Sequence, residues 1–438
     1  MRMARVVPTT PPPEIGESIT IEVGNPVAGG QCIARFDGRV VFVRDALPDE
    51  HVVATVTGYG KGGAFLRADV SEVLVASPDR VTPPCPIASE CGGCDWQHAS
   101  LAAQRELKAT VIVDALTRTG GITEIGSRSA AKAITVETVT GETVTDQVAT
   151  TATVDDGLHW RTRMRYAIDS SGQVGLRAAR SHRIIPASDC PLAVPALSAA
   201  IPVQIDNPSD QRPPRALIAA HSNTGQTEQT LNEHDHSLLT ERVHHREFQV
   251  ELTGFWQVHP GAPTLLVDRV IELAAPDLGD HVLDLYSGVG LFAAFLGEAV
   301  GITGRVDAVE GDKAAIKLAR TNTRDVVSVN HHCSSVDSWI ARRGQPANVV
   351  VLDPPRAGAG AKVVADIVRL APRTVVYVAC DPVALARDAK TFATLGYDLV
   401  ELRAFDLFPM TKHVESIALF RPSAIATGAI TAIASASD

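Results

Sequence analysis

The chain has 438 residues, a net charge of −10 and 45% hydrophobic residues, which is enough apolar material for about three domains of ordinary size. The acidic balance excludes a protein that coats nucleic acid with its whole surface, and no apolar run reaches the ~20 residues that cross a bilayer. The opening residues contain no apolar signal-peptide core, and seven cysteines in such a chain read as a protein of the reducing cytoplasm rather than a disulfide framework.

Residues 1–13 are rich in Pro and Thr and are expected to be disordered. Over 14–80 the runs SITIEV, RVVFVRDALP, HVVATVTGYG and FLRADVSEVL alternate apolar and polar residues between Gly, Pro and Asp. They predict a small antiparallel barrel of OB-like type. A β-rich second domain is expected over 81–247. It opens with VTPPCPIASECGGCDWQHAS, continues with an amphipathic helix over about 101–119, and passes through Thr/Ala/Val-rich strand and loop at 121–157. A hairpin then runs from WRTRMRYAID through a Ser-Gly turn into QVGLRAARSHRIIP, and 205–245 is polar with no clear element. From 248 to 423 single helices separate strands such as VLDLYSG, VDAVEGD, ANVVVLDPPRAG and TVVYVAC, the pattern of a doubly wound parallel sheet. The last two strands, with no helix between them, are expected to pair antiparallel. The Ala/Thr/Ser-rich stretch 424–438 is expected to be a disordered tail.

VLDLYSGVGLFAAFLG reads as strand, tight loop and helix, with Gly288 and Gly290 letting backbone approach a ligand and Ala293 where a GxGxxG run has its third glycine. Asp284 ends the strand, and Glu310 ends the next one, where a carboxylate can hold ribose hydroxyls. An acidic loop repels pyrophosphate and favours a cationic, phosphate-free nucleoside such as S-adenosylmethionine; a nicotinamide enzyme is the alternative. Asp353-Pro354-Pro355-Arg356 and Cys380-Asp381-Pro382 end two further strands and so face the same crevice. The dipole of the helix after Cys380 would favour a thiolate there, although a cysteine can equally be a small core residue. Thiolate addition at C6 of a uracil makes C5 nucleophilic toward a methyl group, and a base must then remove the C5 proton. Glu415, in Lys412-His413-Val414-Glu415, is the candidate base and His413 its rival.

Cys85, Cys91 and Cys94, with distant Cys190, can form a four-thiolate site for zinc or an iron–sulphur cluster, and spacing alone does not decide. Cys32 and Cys333 stand apart and read as core residues. Arg161, Arg163 and Arg165 recur at strand period two, with Arg177, Arg180 and Arg183 on or beyond the returning strand; such a ladder can track a phosphate backbone or be merely a solvated face. Phe255 and Trp256 can stack on an extruded base or belong to a core.

Together these motifs resemble the uracil-5 RNA methyltransferases over about residues 14–422, most of all the cluster-bearing 23S ribosomal RNA enzymes. The resemblance implies an α/β protein: a Rossmann-like class I methyltransferase domain preceded by a TRAM barrel, with ALPDE where the family has ALPGE, and a β-rich iron–sulphur domain. It further implies S-adenosylmethionine held by Gln257, Tyr286, Glu310, Asp337 and Asp353, a [4Fe–4S] cluster on Cys85, Cys91, Cys94 and Cys190 with zinc as the fallback, Cys380 as nucleophile and Glu415 as base. RNA contacts are expected at Arg161, Arg163, Arg165 and Phe255, in a monomer acting on 23S ribosomal RNA, with transfer RNA as the alternative substrate. Two departures stand out: His259 replaces Asn in FWQVHP, and Ala379-Cys380-Asp381-Pro382 replaces the frequent Ser-Cys-Asn-Pro. An adenine amino-methylating enzyme would need no thiol, cytosine-5 enzymes place theirs in a different strand, and a non-catalytic RNA-binding iron–sulphur sensor would need neither Cys380 nor Glu415.

Overall fold

A computed structural model describes residues 11–60, 63–139, 156–205 and 216–423, and the backbone course at 141–142 and 151–152. The tail expected over 424–438 and the first ten residues of the one expected over 1–13 lie outside the described residues. Pro13 is already tied down, its carbonyl accepting from the Tyr59 hydroxyl at 2.6 Å.

Strands β1 (Ser18–Val27), β2 (Gln31–Phe36), β3 (Arg39–Arg44), β4 (His51–Tyr59) and β5 (Phe65–Val75) close into a barrel in the order β1-β2-β3-β5-β4. Alternate residues Ile19, Ile21 and Val23 point inward with Val41, Val43, Val52 and Leu66. The barrel is not wholly antiparallel as predicted, because β3 and β5 pair in parallel. Five strands, an odd number, cannot close with antiparallel pairs alone.

The predicted helix begins at Leu101, capped by the Ser100 hydroxyl accepting from Ala103 N–H, runs regularly to Asp114 and widens through Ala115–Gly120. Strand β6 (Val136–Thr138) follows, in a stretch where the sequence showed little. A five-stranded antiparallel sheet is built from β7 (Arg163–Ile168), β8 (Val174–Arg177), β9 (Ile184–Pro186), β10 (Ala216–His221) and β11 (Thr227–Thr230), in the order β9-β8-β7-β10-β11. The hairpin β12 (Leu238–Val243) and β13 (Arg246–Glu251) comes next, so the boundary expected at 247/248 falls inside β13.

The remaining strands are β14 (His281–Leu285), β15 (Arg305–Glu310), β16 (Val329–Cys333), β17 (Val349–Leu352), β18 (Thr374–Ala379), β19 (Tyr397–Asp406) and β20 (Glu415–Pro422). They form one sheet with β6, in the order β16-β15-β14-β17-β18-β20-β19-β6. Residues alternate between two apolar layers: Leu283, Leu285, Val350 and Tyr377 enter one, and Val282, Val349, Val351 and Val376 the other. A parallel sheet covered by helices on both faces requires this. The predicted antiparallel hairpin is present as β19–β20. Strand order reverses between β14 and its neighbours β15 and β17, which opens a crevice at their carboxyl ends. Cys32 lies in the barrel core as expected, but Cys333 is exposed, because β16 is an edge strand. Among the described residues no helix is long and apolar enough to cross a membrane.

Candidate active site

The loop after β14 turns sharply because three of its residues have left-handed backbone: Tyr286 at φ 63°, Gly288 at 52° and Gly290 at 90°. A tyrosine in that region carries about 1–3 kcal/mol of strain that its surroundings must hold. A side chain at Gly290 would press on Ala319 and Thr323 at 3.3 Å, whereas Gly288 faces open space, as a ligand-cradling position should. The Gly288 N–H donates to Glu310 Oε2 at 2.9 Å, and Glu310 Oε1 accepts from Asp312 N–H at 2.7 Å. This pins the carboxylate that ends β15 against the loop.

Asp284 is 1% exposed, and neither of its oxygens, nor the buried Ser287 hydroxyl, has a hydrogen-bond partner within the protein. Burial pushes Asp284 up to about 8; the Ala293 N–H, which points its way without making a full hydrogen bond, opposes that shift, and Asp353 and Glu310 add to it. Asp353, just beyond β17, is itself raised to about 7 by burial. A buried carboxyl and hydroxyl without partners, Asp284 and Ser287, beside an open glycine loop fit a cationic nucleoside, whose charge and donors would satisfy them. Tyr286 is raised to about 12 by burial, then by Asp337 and Asp388. Asp337 lies exposed in the first turn of helix Val336–Arg343. Gln257 is half-buried in the loop leading from β13 to helix Ala262–Ala274. His259 is fully buried and held near 4 by desolvation, so it is neutral; its Nδ1 accepts from Gly261 N–H at 3.1 Å and its ring stacks on Trp160.

Cys380 and Glu415 meet at the far side of the crevice. Ala379 pairs with Ser416 across β18 and β20, which brings the residues one step beyond, Cys380 and Glu415, to the same edge. The surroundings of Cys380 work against the expected thiolate in the free protein. Burial, then Glu415 and Asp353, push the Cys380 thiol up to about 11; Arg356 opposes them and Asp381 adds to the rise. Asp381 itself caps the helix after Cys380, its Oδ1 accepting from Val383 N–H at 3.0 Å and Ala384 N–H at 2.8 Å. The helix end is thus spent on a carboxylate rather than on the sulphur. Glu415, 3% exposed, is raised well above the usual carboxylate range by burial and by Asp353. The rival His413 is held near 4, by burial first and then by Arg356 and Lys412.

A residue not singled out from the sequence orders the Asp353–Arg356 loop. Asp388 accepts from the Tyr377 hydroxyl at 2.8 Å and from Ala359 N–H at 2.8 Å, so the loop returns against helix Pro382–Thr394. The Gly358–Gly360 spacing after Arg356 was the available signal for that tight turn.

The four cysteines line one cavity of about 200 Å³, together with Arg161 and Met164. Burial raises the Cys94 thiol to about 12, with Cys190, Cys91 and Cys85 adding to the rise. Among the described residues no three or more His, Cys, Asp or Glu side chains are gathered to hold a single metal ion.

The arginine ladder divides. In β7, Met164 and Tyr166 are buried while Arg163 and Arg165 take the other face, as period two requires. Yet the Arg163 side chain is 10% exposed, with Nη1 donating to the carbonyls of Glu251 at 3.2 Å and of Leu252 and Gly254 at 3.3 Å. It is therefore not an accessible phosphate contact: hairpin β12–β13 covers it, with Glu241 at 3.9 Å. Arg165 is exposed and paired with Glu233. Arg180 pairs with Asp69 at 3.2 Å and Arg183 with Glu90 at 2.6 Å, so these two tie the hairpin to the barrel and the cysteine loop. Phe255 is 76% exposed, whereas Trp256 is buried against Phe248.

Comparison with known proteins adds the following. Residues 12–70 match the TRAM domain, and residues 342–422 match the tRNA (Uracil-5-)-methyltransferase family. A Streptomyces avermitilis protein described as an uncharacterized RNA methyltransferase is 40% identical over 94% of this chain and 99% of its own length. The 23S rRNA (uracil(1939)-C(5))-methyltransferase of Halomonas elongata is 32% identical over 89% of this chain and 86% of its own. The crystal structure of the Pyrococcus abyssi tRNA (uracil-54, C5)-methyltransferase in complex with S-adenosyl-L-homocysteine superposes with a TM-score of 0.65, at 21% identity, over 91% of this chain and 99% of the other; it shares the fold.

Proposed function

Because the chain belongs to the uracil-5 RNA methyltransferase family, we propose that it methylates C5 of a uridine in 23S ribosomal RNA, with Cys380 as nucleophile and Glu415 as base. The observation that carries this reading is the pairing of Ala379 with Ser416, which sets a thiol and a buried carboxyl side by side at the mouth of an acidic crevice.

S-adenosylmethionine, when bound, supplies a methyl group on a cationic sulphur. Asp284, Glu310 and Asp353 are the carboxyls that would face that charge, with Gln257, Tyr286 and Asp337 completing the pocket. Cys380 gives up its proton to solvent and its Sγ adds to C6, sending the C5–C6 π electrons into the ring as an enolate. C5 would then take the methyl group as its bond to the sulphonium breaks, the electron pair staying on a neutral thioether that leaves. Glu415 withdraws the C5 proton, that electron pair re-forms C5=C6, and the C6–Sγ bond breaks to return the thiolate. Arg356 is the cation beside the sulphur in this scheme. The target base must leave its stack for C6 to be reached, and exposed Phe255 offers it a surface. Arg165 is left as the phosphate contact of β7, and Arg161 as a wall of the cysteine cavity.

Cys85, Cys91, Cys94 and Cys190 would hold a [4Fe–4S] cluster, whose contribution is to tie the 85–94 loop to the turn at Cys190. Four thiols around one cavity of about 200 Å³ support a polynuclear group; a single zinc draws its sulphurs to about 3.8 Å from one another. The protein is read as a cytoplasmic monomer.

Incubation with methyl-labelled S-adenosylmethionine and either 23S ribosomal RNA or transfer RNA transcripts, followed by nucleoside analysis, tests the reading. Labelled 5-methyluridine from the ribosomal transcript is expected. Label in transfer RNA alone would replace the substrate, and label in any other nucleoside would refute the chemistry.

A further inference from the structure

The loop between β19 and β20, which delivers Glu415 to the site, is held largely by the segment that follows the cysteines. Asp95 Oδ2 accepts from the Lys412 N–H at 3.1 Å, and Asp95 Oδ1 from Lys412 Nζ at 3.2 Å. The N–H groups of Asp95 and Trp96 both donate to the Met410 carbonyl, at 3.1 and 3.0 Å. The Met410 N–H donates to Gln104 Oε1 at 2.7 Å. Lys108 Nζ reaches the Phe408 carbonyl at 3.0 Å and the Asp406 carboxylate. Met410 has φ 67°, a left-handed conformation that a non-glycine residue adopts only where its surroundings fix it. The same segment touches the barrel: Trp96 Nε1 donates to the Gly30 carbonyl at 3.1 Å, and a side chain at Gly30 would collide with Asp95.

We infer that Asp95 is a positioning residue for proton abstraction, holding the Met410–Lys412 turn so that Glu415 stands opposite Cys380. This rests on the reading of Glu415 as the base. The barrel, the cysteine loop and the base loop meet at Asp95–Trp96, and Lys412, which Asp95 holds, stands three residues before the carboxyl that must reach C5. The cysteine-bearing segment is then part of the catalytic apparatus, with its effect confined to the second half of the reaction. Bond formation between Cys380 Sγ and C6, and methyl transfer to C5, need no base from this loop, and Glu415 only makes the thiol harder to ionise. Removal of the C5 proton by Glu415, re-formation of C5=C6 and departure of the Cys380 thiolate depend on that base.

The test is single-turnover kinetics on unmodified substrate RNA with the full-length chain, following the covalent protein–RNA complex and free methylated RNA separately. In Asp95→Ala the complex should form at least as fast as in the wild type and decay at least tenfold more slowly, so that methylated complex accumulates, with KM for S-adenosylmethionine unchanged. Asp95→Asn keeps an acceptor for the Lys412 N–H, and decay should slow only about threefold; it carries the same test if the alanine variant does not fold. Decay at the wild-type rate in both, or complex formation slowed as much as decay, would overturn the inference. Glu415→Gln separates the two levels of the claim. If it accumulates complex and the Asp95 variants do not, only the role of Asp95 fails; if it turns over normally, the reading of the base fails first.

Discussion

Cys380 and Glu415 lie one residue beyond the paired Ala379 and Ser416, so a thiol and a carboxyl that are 35 positions apart in sequence share the same edge of the sheet. Glu415 makes the ionisation of Cys380 harder: it is the second cause, after burial, of a thiol raised to about 11. These surroundings keep the Cys380 thiol protonated in the free protein, and for it to serve as the proposed nucleophile the charge balance must change when substrates arrive.

Alkylation of Cys380 by iodoacetamide, followed by peptide mass spectrometry, should be slow at pH 7 and rise steadily toward pH 10, since the thiolate is the reactive form. Arg356→Gln should slow it further, because the guanidinium pulls the thiol down; Glu415→Gln should speed it. A rate that levels off near pH 7 would contradict the burial argument.

Cofactor affinity should follow the carboxyls of the crevice. Asp353 near 7 and Asp284 near 8 are raised groups, neutral below those values and anionic above them. A cation binds the anionic forms, so affinity for S-adenosylmethionine should rise from pH 6 to pH 8.5, with protons released on binding below pH 8. S-adenosylhomocysteine, which lacks the sulphonium charge, should show a shallower dependence. Calorimetry in two buffers of different ionisation enthalpy measures both; equal slopes for the two ligands would contradict it.

The alternation of helix and strand after residue 248 was legible because each element declares itself by local period, and the glycine loop and Cys380 could be placed at the sheet's rim because they directly follow such strands, whereas Glu415, the first residue of β20, was singled out over His413 only through the family resemblance. What the sequence withheld depends on partners from elsewhere. Strand β6 joins the far edge of the sheet beside β19, a pairing across more than 260 positions. Arg163 has the period of an exposed residue and is covered by a hairpin nearly 90 residues later. The helix after Cys380 predicted a lowered thiol, but Asp381 takes the helix end while burial, then Glu415 and Asp353 from neighbouring strands, push the thiol up.

Arg163 and Arg165 should separate cleanly. Arg163→Met leaves three carbonyls without their donor and should cost about 2–4 kcal/mol of stability. It should also raise KM for RNA through the loop that carries Phe255, with the salt dependence of binding unchanged. Arg165→Met should leave the melting temperature alone and lower the slope of log affinity against log salt by about one. Thermal unfolding and filter binding at several salt concentrations read both; the reverse assignment would restore the simple ladder.

Lys108 and Asp406 form a buried ion pair, 0% and 3% exposed, between the helix after the cysteines and the end of β19. Removing one partner strands the other, so Lys108→Met should cost about 3–5 kcal/mol, and Lys108→Met with Asp406→Leu should recover most of it. Chemical unfolding of the four variants of that cycle gives the coupling; additive losses would show that the pair is not the link.

The central claim is a bond between one sulphur and a pyrimidine ring. Substrate RNA carrying 5-fluorouridine has no C5 proton for Glu415 to remove, so the wild-type protein with S-adenosylmethionine should form a complex that survives denaturation, with an intact mass equal to protein plus RNA plus one methyl group. Cys380→Ala should form none and should not methylate ordinary RNA. Methylation by Cys380→Ala at the wild-type rate would contradict the account.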